Sequence, residues 1–109
     1  MDKASLNAMI SFAETAIRWS KAAGPIWIDN EQIRAAVAMY VGQVGEIIRR
    51  EFDAAEIAAH PEAFGELAGF RNRIYHHYYR DFRVDVLRET VDNELAAKIE
   101  LWKELETSL

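Results

Sequence analysis

A chain of 109 residues is near the usual size of one domain and long enough to bury a single core. Half of the residues are apolar and 28% are charged, an ordinary composition for a soluble globular protein. The chain contains no cysteine, which excludes disulfides, zinc–thiolate sites and thiol catalysis, and its net charge of −5 argues against binding nucleic acid over the whole surface. No window approaches the ~18 uninterrupted apolar residues of a membrane span. The opening Met1-Asp2-Lys3-Ala4-Ser5 lacks the basic start and apolar run of a secretory signal. A cytoplasmic location with no membrane partner is therefore expected.

Hydrophobic periodicity predicts helices throughout. Ser5 is placed to cap a first helix whose buried stripe reads Leu6, Met9, Ile10, Ala13 and Ile17, with Phe12 and Trp19 on its flank. Gly24-Pro25 ends it, since glycine tolerates the C-terminal turn and proline cannot continue a helix. Ile26-Trp27-Ile28 is a short apolar connector laid over the core. Asp29 with Gln32 three residues on has the form of a capping box opening a second helix to about Phe52, which buries Ile33, Val37, Val41, Val44 and Ile48. Gly42 and Gly45 inside it each cost about 1 kcal/mol relative to alanine, which points to another backbone approaching that face. Glu46 beside them reads as a solvated or half-exposed acid, or more sharply as the partner that holds an arginine of the 71–80 stretch in place.

Ala54 to His60 reads as a short helical turn or a loop, and Pro61 suits the first turn of the helix after it. That helix, with Phe64, Leu67 and Ala68 on its apolar side, is expected to run straight into the stretch that begins at Phe70. The periodicity lapses around Asp81-Phe82-Arg83, where a bend is placed. Asp85 is read as the cap of the last helix, with a stripe of Leu87, Val91, Leu95, Ile99, Trp102 and Leu105. No strand alternation and no repeat are apparent. The expectation is one all-α domain over residues 1–109, an up-and-down bundle of four or five helices.

The chemistry is concentrated in Arg71-Asn72-Arg73-Ile74-Tyr75-His76-His77-Tyr78-Tyr79-Arg80, which holds three guanidinium groups, two imidazoles, three phenols and an amide. Residues 71–88 carry a net charge of +3, leaving −8 on the rest, so phosphate binding would be local to this segment. On a continuous helix Arg71 and Tyr78 would share one side two turns apart, with Asn72 and His76 an i,i+4 pair beside them, while Phe70 and Ile74 point to the core. Local acids are too few to neutralise a buried arginine cluster, which favours an exposed or cleft-lining site. No metal is expected, because adjacent histidines cannot easily share one ion and the His-x3-His spacing is missing. A serine nucleophile elbow and a phosphate-cradling glycine loop are missing as well. Metal-free phosphate chemistry remains: a histidine moves protons near neutral pH, and an arginine meets the charge growing on a phosphodiester. In RNA the 2′-OH supplies the nucleophile. One such histidine per chain gives one proton-transfer group, and a symmetric dimer would bring two together.

The spacing Arg71-x4-His76-x-Tyr78, with Asn72 directly after the arginine, resembles the signature of the HepT-like branch of the HEPN superfamily. Gly45-Glu46 in the second helix, Ala68-Gly69-Phe70 before the motif and Val84-Asp85-Val86-Leu87 after it extend the similarity over nearly the whole chain; Phe64-Gly65 and His77 depart from it. The resemblance implies a homodimeric HEPN-like bundle acting as an endoribonuclease toxin without a cofactor. Arg71 and His76 would be catalytic, and Asn72, Arg73 and Tyr78 would contact substrate. It also implies a cognate minimal nucleotidyltransferase antitoxin as partner, attaching AMP to Tyr78, where added negative charge and bulk would keep RNA out. The runner-up is a non-catalytic HEPN subunit that binds nucleotide or docks a nucleotidyltransferase. A plain helical dimer with a structural role stands third.

Overall fold

The structure, a computed structural model, describes residues 1–76 and 81–109, and for Tyr75, His76, Asp81 and Phe82 it describes the backbone. Helix α1 spans Lys3–Ala23. Its cap is Asp2 and not Ser5: the Asp2 carboxylate accepts the Ser5 backbone N–H at 2.7 Å and the Ser5 hydroxyl at 3.1 Å. A carboxylate at this position satisfies an orphan donor and also opposes the positive end of the helix dipole. Leu6, Met9, Ile10, Ala13 and Ala16 are buried, Ile17 is partly so, and Trp19 is exposed. Gly24, at φ 95°, closes the helix by donating its N–H to the Ser20 and Lys21 carbonyls.

The connector folds into a 3₁₀ turn, Trp27–Asp29, which buries Trp27 and Ile28 and leaves Ile26 in solvent. The Trp27 indole N–H donates to the Asp92 carboxylate at 3.0 Å, tying this turn to the far end of the sequence. Helix α2 follows over Glu31–Glu51. Because Asp29 is held inside the 3₁₀ turn, the cap moves one residue on. Asn30 accepts the Ile33 N–H at 3.1 Å, and no Asp29–Gln32 box forms. Val37, Val41, Val44 and Ile48 are buried, and Ile33 only partly.

Helix α3 (Ala54–Ala59) carries a capping box at Asp53 and Glu56, and Pro61 opens the four-residue α4 (Pro61–Phe64). The continuous helix expected from Pro61 into the motif does not form. The chain passes through a 3₁₀ turn, Leu67–Gly69, before a short α5, Phe70–Ile74. This turn packs on α2, where a side chain at Gly45 would collide with the Leu67 carbonyl oxygen and touch Phe70. Here one backbone is pressed directly onto another.

After Ile74 the chain leaves helix altogether. Strand β1 (Tyr75–His76) pairs antiparallel with β2 (Asp81–Phe82), in the register Tyr75↔Phe82 and His76↔Asp81. The Arg83 N–H donates to the Ile74 carbonyl at 2.8 Å just beyond it. The expected bend at Asp81-Phe82-Arg83 is thus half of a small ladder, and the absence of strands expected from the sequence is corrected to this one pair. Apart from it, the regular elements among the described residues are all helical.

The last helical run comprises α6 (Val84–Glu89), a π-helical segment (Thr90–Glu94) and α7 (Leu95–Thr107). Arg83 occupies its cap position without a side-chain cap. Asp85, expected to cap it, lies in the first turn and receives the Arg83 guanidinium at 3.1 and 3.0 Å. Leu87, Val91, Leu95 and Ile99 recur every four residues, which would drift about 40° per step on a regular α-helix. The wider turn at Thr90–Glu94 takes up drift, and all four are buried.

Helix α1 packs against both α2 and α7, while α4 meets α7 through the buried Trp102, whose indole N–H donates to the Ala63 carbonyl at 2.9 Å. Among the described residues, no helix is long and apolar enough to cross a membrane. Gly45→Ala is expected to destabilise the protein by about 1–3 kcal/mol, as overpacking does, although alanine gains about 1 kcal/mol in helix propensity. Chemical denaturation of the two proteins measures the difference.

Candidate functional site

Helix α5 presents the start of the motif by simple geometry. Phe70 and Ile74, four residues apart on one face, are both fully buried, and Arg71, Asn72 and Arg73 between them are exposed. The two apolar anchors fix the helix on the core and force the three polar residues outward. Arg73 lies 3.6 Å from Glu66 across a solvent-exposed pair, an interaction that water largely screens.

Arg71 is seated differently. Its aliphatic stem lies across α2 at Gly42, where an added side chain would stand 3.2 Å from Cγ and 3.5 Å from Cδ. The close approach inferred at Gly45 is therefore to backbone, and the one at Gly42 is to an arginine side chain. Among the residues whose side chains are described, Arg71 makes no ion pair.

One turn further along α2, Glu46 is half-buried and accepts from Arg49 at 3.0 Å, with Arg50 at 3.5 Å. The Arg49 hydrogen bond holds the Glu46 carboxyl below the usual carboxylate range, against burial that pushes it up; the charges of Arg49, Arg50 and Arg71 add to the lowering. Glu46 is thus chiefly the partner of its own helix's arginines, and Arg71 acts on it through its field without forming a direct pair. Gly42, Glu46 and Arg49 fall within a narrow arc of α2, at spacings of four and three residues. The cations of Arg49 and Arg50 therefore stand on the same side as the Arg71 stem.

The sequence-derived geometry changes beyond Ile74. Asn72 belongs to α5 but His76 belongs to β1, so the two are not an i,i+4 helical pair. The helical phasing that would align Arg71 with Tyr78 likewise ends at Ile74. Five consecutive aromatic or imidazole residues, Tyr75 to Tyr79, carry the signal for this change, since such side chains favour extended backbone over helix. His76 is placed by its backbone, paired with Asp81. His77, Tyr78, Tyr79 and Arg80 lie outside the described residues, and with them the nominated Tyr78.

Comparison with protein-family models, with curated proteins and with solved structures finds no match. The site is read from its own residues. Among the described residues, no three His, Asp or Glu side chains gather as a metal-binding group. A groove of about 440 Å³ lies elsewhere, lined by Ser20, Lys21, Gly24, Pro25, Trp27 and Asp92, and none of these belongs to the motif.

The depressed Glu46 value sets a sign for pH dependence. A carboxyl whose folded pKa lies below its unfolded one adds stability above the unfolded value and loses it as the pH falls through the folded one. The melting-temperature advantage of wild type over Glu46→Gln is expected to be full at neutral pH and to vanish on acidification through that range. Thermal melts of both proteins across an acidic pH series check it.

Proposed function

We propose that the protein is a metal-independent endoribonuclease of the HepT toxin type, with Arg71 and His76 as its catalytic pair. The observation that carries this reading is the exposed, two-anchored presentation of Arg71 and Asn72 on α5, the short helix that runs directly into the strand holding His76. An arginine whose stem is packed and whose head faces solvent is prepared to receive a phosphodiester with little side-chain entropy left to lose.

In this mechanism the guanidinium of Arg71 binds a non-bridging phosphate oxygen and stabilises the charge that develops there. His76 takes the proton from the 2′-OH, whose oxygen attacks the adjacent phosphorus. The 5′-oxygen then leaves and needs a proton of its own. A second copy of the chain supplies that acid, so the complete site is a composite of two motifs across a homodimer. Asn72 and Arg73 contact the RNA backbone beside the scissile bond. Tyr78 contacts substrate too and is the residue on which a cognate minimal nucleotidyltransferase, the antitoxin, places AMP. The adduct brings negative charge against the incoming phosphates and fills their space. The protein acts in the cytoplasm.

His76→Ala is expected to abolish both RNA cleavage and growth arrest while the dimer persists. Cleavage of a labelled RNA without added metal, growth of expressing cells and light scattering measure the three. A fully toxic His76→Ala protein would remove His76 from the mechanism. Co-expression with the nucleotidyltransferase is expected to add the mass of AMP, mapped by peptide sequencing to Tyr78 and lost in Tyr78→Phe. An acidic body around a local cationic segment also favours a second reading, a subunit that binds nucleotide or docks the transferase without cleaving RNA. A purified dimer that binds either partner but cleaves no RNA, with or without metal, would select it.

A further inference from the structure

Gly42 presents a physical problem that its own backbone does not solve. It lies in the middle of α2, and the described residues contain a single glycine at positive φ, Gly24. Any residue but proline adopts the helical conformation at position 42, and alanine would favour it. Among the described residues no other backbone comes within 4 Å of a side chain built there, in contrast to Gly45, which meets the Leu67 carbonyl. What a side chain at 42 would meet is the stem of Arg71, 3.2 Å away at Cγ and 3.5 Å at Cδ. The first distance is tighter than ordinary van der Waals contact, so the arginine would have to move.

We propose that Gly42 is a positioning residue for Arg71: its bare backbone forms the notch in which the arginine stem lies, and the notch fixes where the guanidinium stands. This rests on the reading of Arg71 as the cation that meets the phosphate. Cγ lies near the base of a long side chain. A displacement of a few tenths of an ångström there swings the guanidinium further, and the fork of donors loses its alignment with the phosphate oxygens. Phe70 and Ile74 remain buried, so the helix stays docked while only the arginine shifts.

The test separates positioning from folding because the two move in opposite directions. Gly42→Ala is expected to melt no lower than wild type, since the substitution favours the helix. Its kcat for RNA cleavage is expected to fall roughly tenfold or more, with little change in KM, as for a misplaced catalytic group. In an Arg71→Ala background the same substitution is expected to cause no further loss. A parallel loss of melting temperature and activity would make Gly42 merely structural and overturn the proposal. Unchanged kcat in a stable Gly42→Ala protein would overturn it too.

A second arm does not depend on RNA cleavage. In NMR titrations with inorganic phosphate, the Arg71 Nε–Hε resonance is expected to respond in wild type and to respond less in Gly42→Ala. Arg73, paired with Glu66, serves as the internal control and is expected to behave alike in both proteins. A wild-type chain that cleaves no RNA but shows this difference would retire the nuclease reading and keep the notch. An Arg71 resonance that ignores phosphate in wild type, or responds equally in both proteins, would refute the notch whatever the activity.

Discussion

The Leu67 carbonyl lies so close to α2 that no side chain fits between them at Gly45. The placement of the motif depends on this contact. The backbone held there belongs to the 3₁₀ turn that separates α4 from α5. Three residues earlier on α2, Gly42 meets Arg71, which lies four residues after Leu67. The order of the two contacts is reversed between the segments, so the chain from Leu67 to Arg71 runs antiparallel to α2. Two glycines on one face of a single helix thus set both the height and the direction of the segment that carries the motif.

The same docking explains how an acidic protein maintains a cationic surface. Phe70 and Ile74 are buried, and the residues between them have nowhere to point but outward. Arg49 and Arg50 add charge from the end of α2, and Glu46 moderates it without neutralising Arg71 by a direct pair. A half-exposed carboxylate between exposed guanidinium groups lowers their mutual repulsion, and solvent screening keeps each interaction modest. The arrangement leaves a local positive field on a body whose overall charge is −5.

Much of this was legible in advance, and the failures have identifiable physics. The stripes of α1, α2 and α7 follow from 3.6-residue periodicity because burial of apolar area dominates long helices. Caps were harder to read. Asp2, Asn30 and Arg83 each displaced a neighbouring candidate, since Ser5, Asp29 and Asp85 all have plausible cap chemistry one to three residues away. Asp29 lost the role because a 3₁₀ turn, itself fixed by burial of Trp27 and Ile28, had already claimed it. The stripe from Leu87 to Ile99 is visible in the sequence, but the π-helical turn that accommodates its four-residue spacing belongs to the folded helix.

By itself, the sequence determined the helical class, the long buried stripes and the concentration of titratable and cationic groups after Phe70. It also announced two costly glycines on α2. Only the tertiary structure decided what those glycines were for: Gly45 for a carbonyl of another segment, Gly42 for the stem of Arg71. It likewise decided that His76 sits on a strand paired with Asp81, although the run Tyr75–Tyr79 already carries a local signal against helix beyond Ile74. The reason is one of range. Periodicity and composition are local quantities that a single segment carries with it. What a glycine makes room for, and which residue a strand pairs with, is set by another segment distant along the chain.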